Sequence, residues 1–258
     1  MTQVTRLWPL LTATHRYDKS ISTWQRGHGQ LIDAPILAYL IETKQGRILY
    51  DVGCDYAKIA DPTQRERWYG DFAMGAPQMR EEQRLPAHFA RLGLTPADID
   101  VVFLGHLHFD HAGGLCEVCG AEVHVHAAEL DAARAQADDA YFVDDFAGDY
   151  RWKAQTGEYD LLPGVRAINT PGHTAGHMSL LIELPTGKPV ILAGDAADLT
   201  ENIEQEIAPG TLWQDREDLA LDSIRKLKSL AAETGAELWP NHDMAFFKRL
   251  RQFPEFHA

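Results

Sequence analysis

Residues 105–114 read GHLHFDHAGG and follow directly on the apolar run VVFL. No other stretch constrains the fold as much. A short apolar run of this kind predicts a buried strand, and the six positions after Gly105 hold His106, His108, Asp110 and His111. In an extended segment, side chains two apart point the same way. His106 and His108 can therefore reach one ion together from the strand's end. Asp110 and His111 follow where the chain turns, and they point elsewhere, toward a second ion. Gly113 and Gly114 leave room for close backbone approach. Two such sites need further ligands from distant strand ends, and three candidates exist. NTPGH places His173 in a Pro-Gly turn, VILAGD ends on Asp195, and LWPNHD carries His242 past a third apolar run. Neutral imidazoles suit zinc, and a carboxylate can bridge two cations. Five histidines and two carboxylates at strand-to-loop junctions read as a ligand cluster.

Apolar runs predict strands at 35–43, 47–53, 100–106, 122–127, 165–170, 178–184 and 189–195. Turn signals such as TKQGR, LPG and PTGK separate several of them. Helical patterns lie at 81–94, 127–140 and 216–235. In the last, Leu219, Ile224, Leu227 and Leu230 form a partial apolar stripe, and Gly235 marks the stop. Strands interleaved with helices predict an α/β class with sheets sandwiched by helices, and one domain over 1–258 is the simplest organisation. The stretch 59–82 is aromatic and irregular, which predicts a long loop. Trp24, Trp68, Tyr69 and Phe72 are expected as core or loop anchors; lining a pocket, they would suit a greasy substrate tail.

A net charge of −14 and the lack of a basic patch argue against nucleic acid or an anionic membrane surface as partner. The N-terminal apolar stretch is broken by Pro9 and too short for a signal peptide or anchor, and no later run reaches the length of a membrane span. Cys54, Cys116 and Cys119 read as reduced thiols of a cytoplasmic protein. Cys116 and Cys119, with His124 and His126, mimic a small separate zinc site or a redox pair. The segment 122–127 also reads as an ordinary strand leading into a helix, which is the reading preferred. His15, His28, His88 and His257 belong to no motif and are expected on the surface or in packing.

The run H-x-H-x-D-H at 106–111, followed by single His, Asp and His, resembles the metallo-β-lactamase superfamily. ILYDVGC, TPGHTAGHMSLLIE, ILAGDAADLTENIE, LALDSIRKLK, NHD and the terminal FPEF extend the resemblance to its N-acyl-homoserine lactonase group. The resemblance implies an αββα sandwich of two mixed sheets with the metals at one edge. It implies one zinc on His106, His108 and His173, and a second on Asp110, His111 and His242, with Asp195 bridging. Asp51 and His177 occupy positions expected to support ligands or structure. This group commonly has a tyrosine three residues after the bridging aspartate, holding the substrate carbonyl; here Asp198 stands there, acceptor-only when ionised.

The activity implied is opening of a lactone ring, foremost that of an N-acyl-homoserine lactone (quorum quenching). The resemblance implies two zinc ions that would share a hydroxide for attack on the ester carbonyl, with Asp110 carrying the proton to the leaving alkoxide. A different cyclic ester such as a pyridoxolactone, a thioester or a phosphodiester is the alternative on the same metals. A metal-binding scaffold is the alternative outside enzymes. The expected partner is a small lactone, and the chain acts as a monomer or homodimer.

Overall fold

The computed structural model describes residues 2–118 and 120–258. Its first sheet holds six strands in chain order: β1 (Val4–Asp18), β2 (Leu31–Thr43), β3 (Gly46–Tyr50), β4 (Val101–Phe103), β5 (Glu122–His126) and β6 (Arg151–Gln155). β1, β2 and β3 pair antiparallel, while β3, β4, β5 and β6 run parallel. The second sheet has the order β11-β10-β9-β8-β7, from β7 (Tyr159–Leu162), β8 (Val165–Asn169), β9 (Met178–Ile182), β10 (Val190–Leu192) and β11 (Glu237–Trp239). Only its β10–β11 pair is parallel. These are the two mixed sheets that the resemblance implied.

Alternation along each strand explains the layering. Leu37, Tyr39 and Ile41 of β2 face inward with Ile48, Tyr50 and Phe103, and meet Val165, Ala167, Leu180, Ile182, Leu192 and Trp239 of the second sheet. The intervening Ala38 and Leu40 face outward, against Leu85 and Phe89 of helix α3 (Leu85–Arg91) and Leu130 of α5 (Ala127–Arg134). Both faces of β2 are thus covered, which is why its sequence is a near-continuous apolar run rather than an alternating one. On the far side of the second sheet, Leu227 of α7 (Glu217–Thr234) packs on Ile168, Leu181 and Ile191, and Gly235 ends the helix at φ +71°.

Several elements differ from the sequence reading. β1 is a 15-residue strand where only an interrupted apolar stretch was seen. Pro9 is tolerated because β1 lies at the sheet's edge, where a missing N–H breaks no inner ladder. The stretch 59–82 is partly helical: α1 (Tyr56–Ala60) and α2 (Pro62–Tyr69) are N-capped by Asp55 and Asp61, with Pro62 opening the second. Charged α2 shows no apolar stripe, so periodicity missed it. The pattern at 81–94 divides at Arg84 and Pro86 into a 3-10 turn and α3. β6 and β7 carry too few buried residues to stand out. No helix among the described residues is long and apolar enough to cross a membrane.

The aromatics of 59–82 are anchors. Trp68, Tyr69 and Phe72 pack with Phe109 and Phe142, while the half-buried Trp24 lies outside that cluster. Beneath them the Lys58 ammonium meets the Asp145 carboxyl, both buried, and lies 4.1 Å from the Trp68 ring centroid. Burial pushes Asp145 up to about 7 even against the pull of Lys58. A raised carboxyl opposes folding as it ionises, so without Lys58 that opposition extends to higher pH. Lys58→Met is expected to destabilise the fold by about 3 kcal/mol at pH 8. The gap to the wild type should widen between pH 6 and 9 in urea denaturation.

Candidate metal centre

Strand polarity assembles the site. β3 and β4 are parallel, so their C-terminal ends share an edge, and there they release Asp51 and the segment 104–112. In the second sheet, β8, β10 and β11 point the same way, β9 running against them. His173, Asp195 and His242 follow their C-terminal ends. Five strand ends converge on one rim of the sandwich.

Local packing shapes the first ligand loop. Asp51 adopts φ +55°, and its carboxylate accepts from Gly105 N at 2.8 Å and from His111 Nδ1 at 2.7 Å. The short helix α4 (Phe109–Ala112) then carries Asp110 and His111. Gly114 has no alternative at its place, because a Cβ there would stand 2.1 Å from Val52 O.

The donor atoms of His106, His108 and His173 lie within 4.8 Å of one another, as do those of Asp110, His111 and His242. Asp195 stands between the sets. Its Oδ2 is 3.4 Å from His173 Nε2, 3.9 Å from His106 Nε2 and 3.3 Å from His242 Nε2, and its Oδ1 is 3.3 Å from His111 Nε2. Asp110 Oδ2 lies 3.7 and 3.8 Å from the Nε2 atoms of His111 and His242. The structure thus brings together all seven residues singled out as ligands.

The outer ring nitrogens decide what such a cluster can hold. His108 Nε2 donates to Asp138 (3.1 Å), His173 Nδ1 to Thr211 O (3.2 Å), His111 Nδ1 to Asp51, and His242 Nδ1 to Pro35 O (2.9 Å). Each of these rings therefore turns its other nitrogen inward, and His108 Nδ1 and His173 Nε2 face each other at 3.1 Å. Among the described residues, His106 is fully buried with no hydrogen-bond partner on either ring nitrogen, and His111 Nε2 has no such partner beyond its 3.3 Å ion-pair contact with Asp195. Converging imidazole lone pairs around a carboxylate are costly to bury unless a cation lies among them. The residues fit a divalent metal.

Electrostatics divides the cluster into two poles. Burial depresses His106 strongly and takes His173 down to about 4. At His242 the carboxylates of Asp195, Asp198 and Asp110 outweigh burial and raise the ring to about 10; His111 is raised in the same way by Asp195, Asp110 and Asp51. A cation would take the place of those protons at the carboxylate-rich pole.

The remaining expected residues lie around this set. His177 is buried and neutral, pushed to about 3 by burial; it accepts from Asp195 N at 2.9 Å and contacts Thr170 Oγ1 at 2.9 Å, so it fixes the turn that presents Asp195. Asp198 is buried with Oδ1 unpartnered, and a carboxylate oxygen lies within 4.8 Å of the donor atoms of Asp195 and His242. Burial, then Asp195, push it up to about 8, a shift that a cation on Asp195 opposes.

Other residues of the site were not anticipated. Glu129 is fully buried: Oε1 accepts from Leu107 N (3.0 Å) and Tyr141 Oη (2.9 Å), and Oε2 accepts from Gly176 N (3.0 Å). One carboxylate thereby ties the His106–His108 loop to the His173 turn. Asn241 donates to Asp195 Oδ1 at 2.9 Å. His15 and Tyr17, on β1, line the cleft above the cluster, although His15 was expected on the surface or in packing. Only recognition of β1 could have drawn them in. His88 packs against Phe253, His257 against Trp239, and His28 is exposed. His124 contacts Tyr159 Oη and His126 caps α5, so each ring is engaged by a partner of its own. Cys119 lies outside the described residues, and with it the small zinc or redox site.

Comparison with known proteins agrees with this geometry. The model of the Metallo-beta-lactamase superfamily matches residues 31–242. An N-acyl homoserine lactonase of Bacillus sp is 35% identical over 230 residues, 88% of this chain and 89% of its own length. N-acyl homoserine lactonase AttM of Rhizobium johnstonii is 28% identical over 98% of both chains. A solved N-acyl homoserine lactone hydrolase, with the product N-hexanoyl-L-homoserine at its catalytic metal center, superposes with TM-score 0.89 at 32% identity, covering both chains fully. A mutant of Bacillus thuringiensis AiiA with N-decanoyl-L-homoserine at its active site gives TM-score 0.90 at 31% identity, again over both whole chains. By sequence and by fold, this chain belongs to the metallo-beta-lactamase superfamily, in the family of the N-acyl homoserine lactonases.

Proposed function

We propose that this chain is a two-zinc hydrolase that opens the lactone ring of N-acyl homoserine lactones, acting as one catalytic domain. The observation that carries the reading is the convergence of five imidazoles and two carboxylates, with four of the rings, His108, His111, His173 and His242, fixed by a bond on the outer nitrogen. His106, His108 and His173 would hold one zinc, and Asp110, His111 and His242 the other, with Asp195 between them. Bound there, the zinc ions supply Lewis acidity at the ester carbonyl and acidify a water.

The protein's own groups do the rest. Asp110 is the most open member of the set, its side chain 15% exposed where it lines the cleft. Its carboxylate takes the proton that the attacking water loses, and returns it to the ring oxygen as the C–O bond breaks. The product is the open hydroxy acid, with the proton balance closed inside the site. Ile21, Met74 and Phe109 wall the cleft with apolar surface, and Ile21 and Met74 also line an adjoining groove with Trp68, Phe72 and Ala73. That continuity suits an acyl tail running outward from the lactone. A buried Cys54 thiol fits the reducing cytoplasm.

Ring opening releases acid, so pH change across a panel of lactones, alongside metal content per chain, tests the reading. The expected result is turnover that disappears on chelation and in Asp195→Ala, with metal lost in both, and that returns to the wild type on adding zinc. Two bound metals with no ester opened would leave a metal-binding scaffold instead. Asp110→Asn should retain metal and lower kcat by about 100–1,000-fold; unchanged kcat removes it as proton carrier. Along a series of acyl tails, kcat/KM should rise by at most about fourfold per methylene until the groove is filled. Trp68→Ala should flatten that series.

A further inference from the structure

A carbonyl substrate entering this cleft brings acceptor oxygens, and most of the lining cannot serve them. Carboxylates of Asp110, Asp195 and Asp198 accept only, when ionised. The N–H groups of His108, His173 and His242 are spent on Asp138, Thr211 O and Pro35 O, and His15 Nε2 sits 3.1 and 3.0 Å from Met74 O and Gly75 O. Two lining side chains carry a hydroxyl, Tyr17 and Thr211. Thr211 is half-buried, whereas Tyr17 is 6% exposed. Tyr17 lines the same cleft as Asp198, Asp195 and Asp110.

The phenol is also held rigidly. Tyr17 pairs with Ile32 in the β1–β2 ladder, and its hydroxyl lies 2.9 Å from Ser22 Oγ. Ser22 is itself fully buried and fixed, its carbonyl accepting from Asn202 Nδ2 at 2.9 Å and its N–H donating to Lys19 O at 2.9 Å. Either hydroxyl can donate across this contact; when Ser22 donates to the phenol oxygen, the phenol hydrogen is left for the cleft.

We propose that Tyr17 is a catalytic residue that donates a hydrogen bond to the substrate's ester carbonyl oxygen, with Ser22 as its positioning residue. The inference rests on the hydrolase reading above. As negative charge builds on that oxygen during attack, a fixed neutral donor stabilises it more than it stabilises the ground state. Tyr17 keeps its proton throughout.

The test compares wild type, Tyr17→Phe and Ser22→Ala on one N-acyl homoserine lactone, with metal content and melting temperature measured on each. Tyr17→Phe should lower kcat about 100-fold at unchanged metal content, with KM moving less than about threefold. Ser22→Ala, which keeps the phenol but releases it, should lower kcat about tenfold. Wild-type kcat in Tyr17→Phe overturns the proposal, as does a loss confined to KM. Should Tyr17→Phe lose metal or fail to fold, Ser22→Ala decides: full kcat in a protein of wild-type metal content and melting temperature overturns it. A wild type that opens no lactone overturns the hydrolase reading itself, an outcome distinct from a wild type that turns over and a Tyr17→Phe that matches it.

Discussion

The Asp195 carboxylate faces four imidazole Nε2 atoms within 3.9 Å, and the rest of the rim exists to keep those rings turned toward it. Hydrogen bonding alone leaves this cluster incomplete, since both ring nitrogens of His106 are without a hydrogen-bond partner among the described residues. What holds it is the outer layer of acceptors. Asp51, Asp138 and the carbonyls of Pro35 and Thr211 bind the far sides of His111, His108, His242 and His173, which holds those four rings in place. The cost of facing lone pairs is met by the folding energy of the sheets, and it is relieved when a cation arrives.

That outer layer is itself anchored by buried carboxylates outside the ligand set. Asp51, at a positive φ, ties the end of β3 to Gly105 and His111. Glu129 ties Leu107 to Gly176 and so couples the first-sheet loop to the second-sheet turn. Both accept backbone N–H groups that would otherwise lie unpaired where strands have ended. The apolar layer between the sheets gives these ties a stiff foundation, since ligand-bearing segments leave strands buried on both faces.

Much of the centre was legible in the chain because strand ends advertise themselves. VVFL before His106, VILAGD before Asp195 and LWPNHD before His242 are apolar runs followed at once by ligand chemistry, and a buried strand cannot end otherwise without reason. β1 was illegible because Pro9 interrupts its run, and the edge position that makes Pro9 harmless is a property of the assembled sheet. His15 and Tyr17 went unnoticed with it. α2 was missed for a different reason: its stability comes from the Asp61 cap and from Tyr69 packing on Phe109 and Phe142, not from a stripe.

By itself the sequence determined the class of fold, the seven donors that meet, and the chemistry those residue types share, because periodicity and ligand spacing are local properties. Only the tertiary structure decided which nitrogen of each ring faces inward, that Glu129 links the two loops, and that Tyr17 joins Asp198 in lining the cleft. Those outcomes depend on contacts between residues as far apart as Pro35 and His242, whose distance along the chain carries no trace of their distance in space.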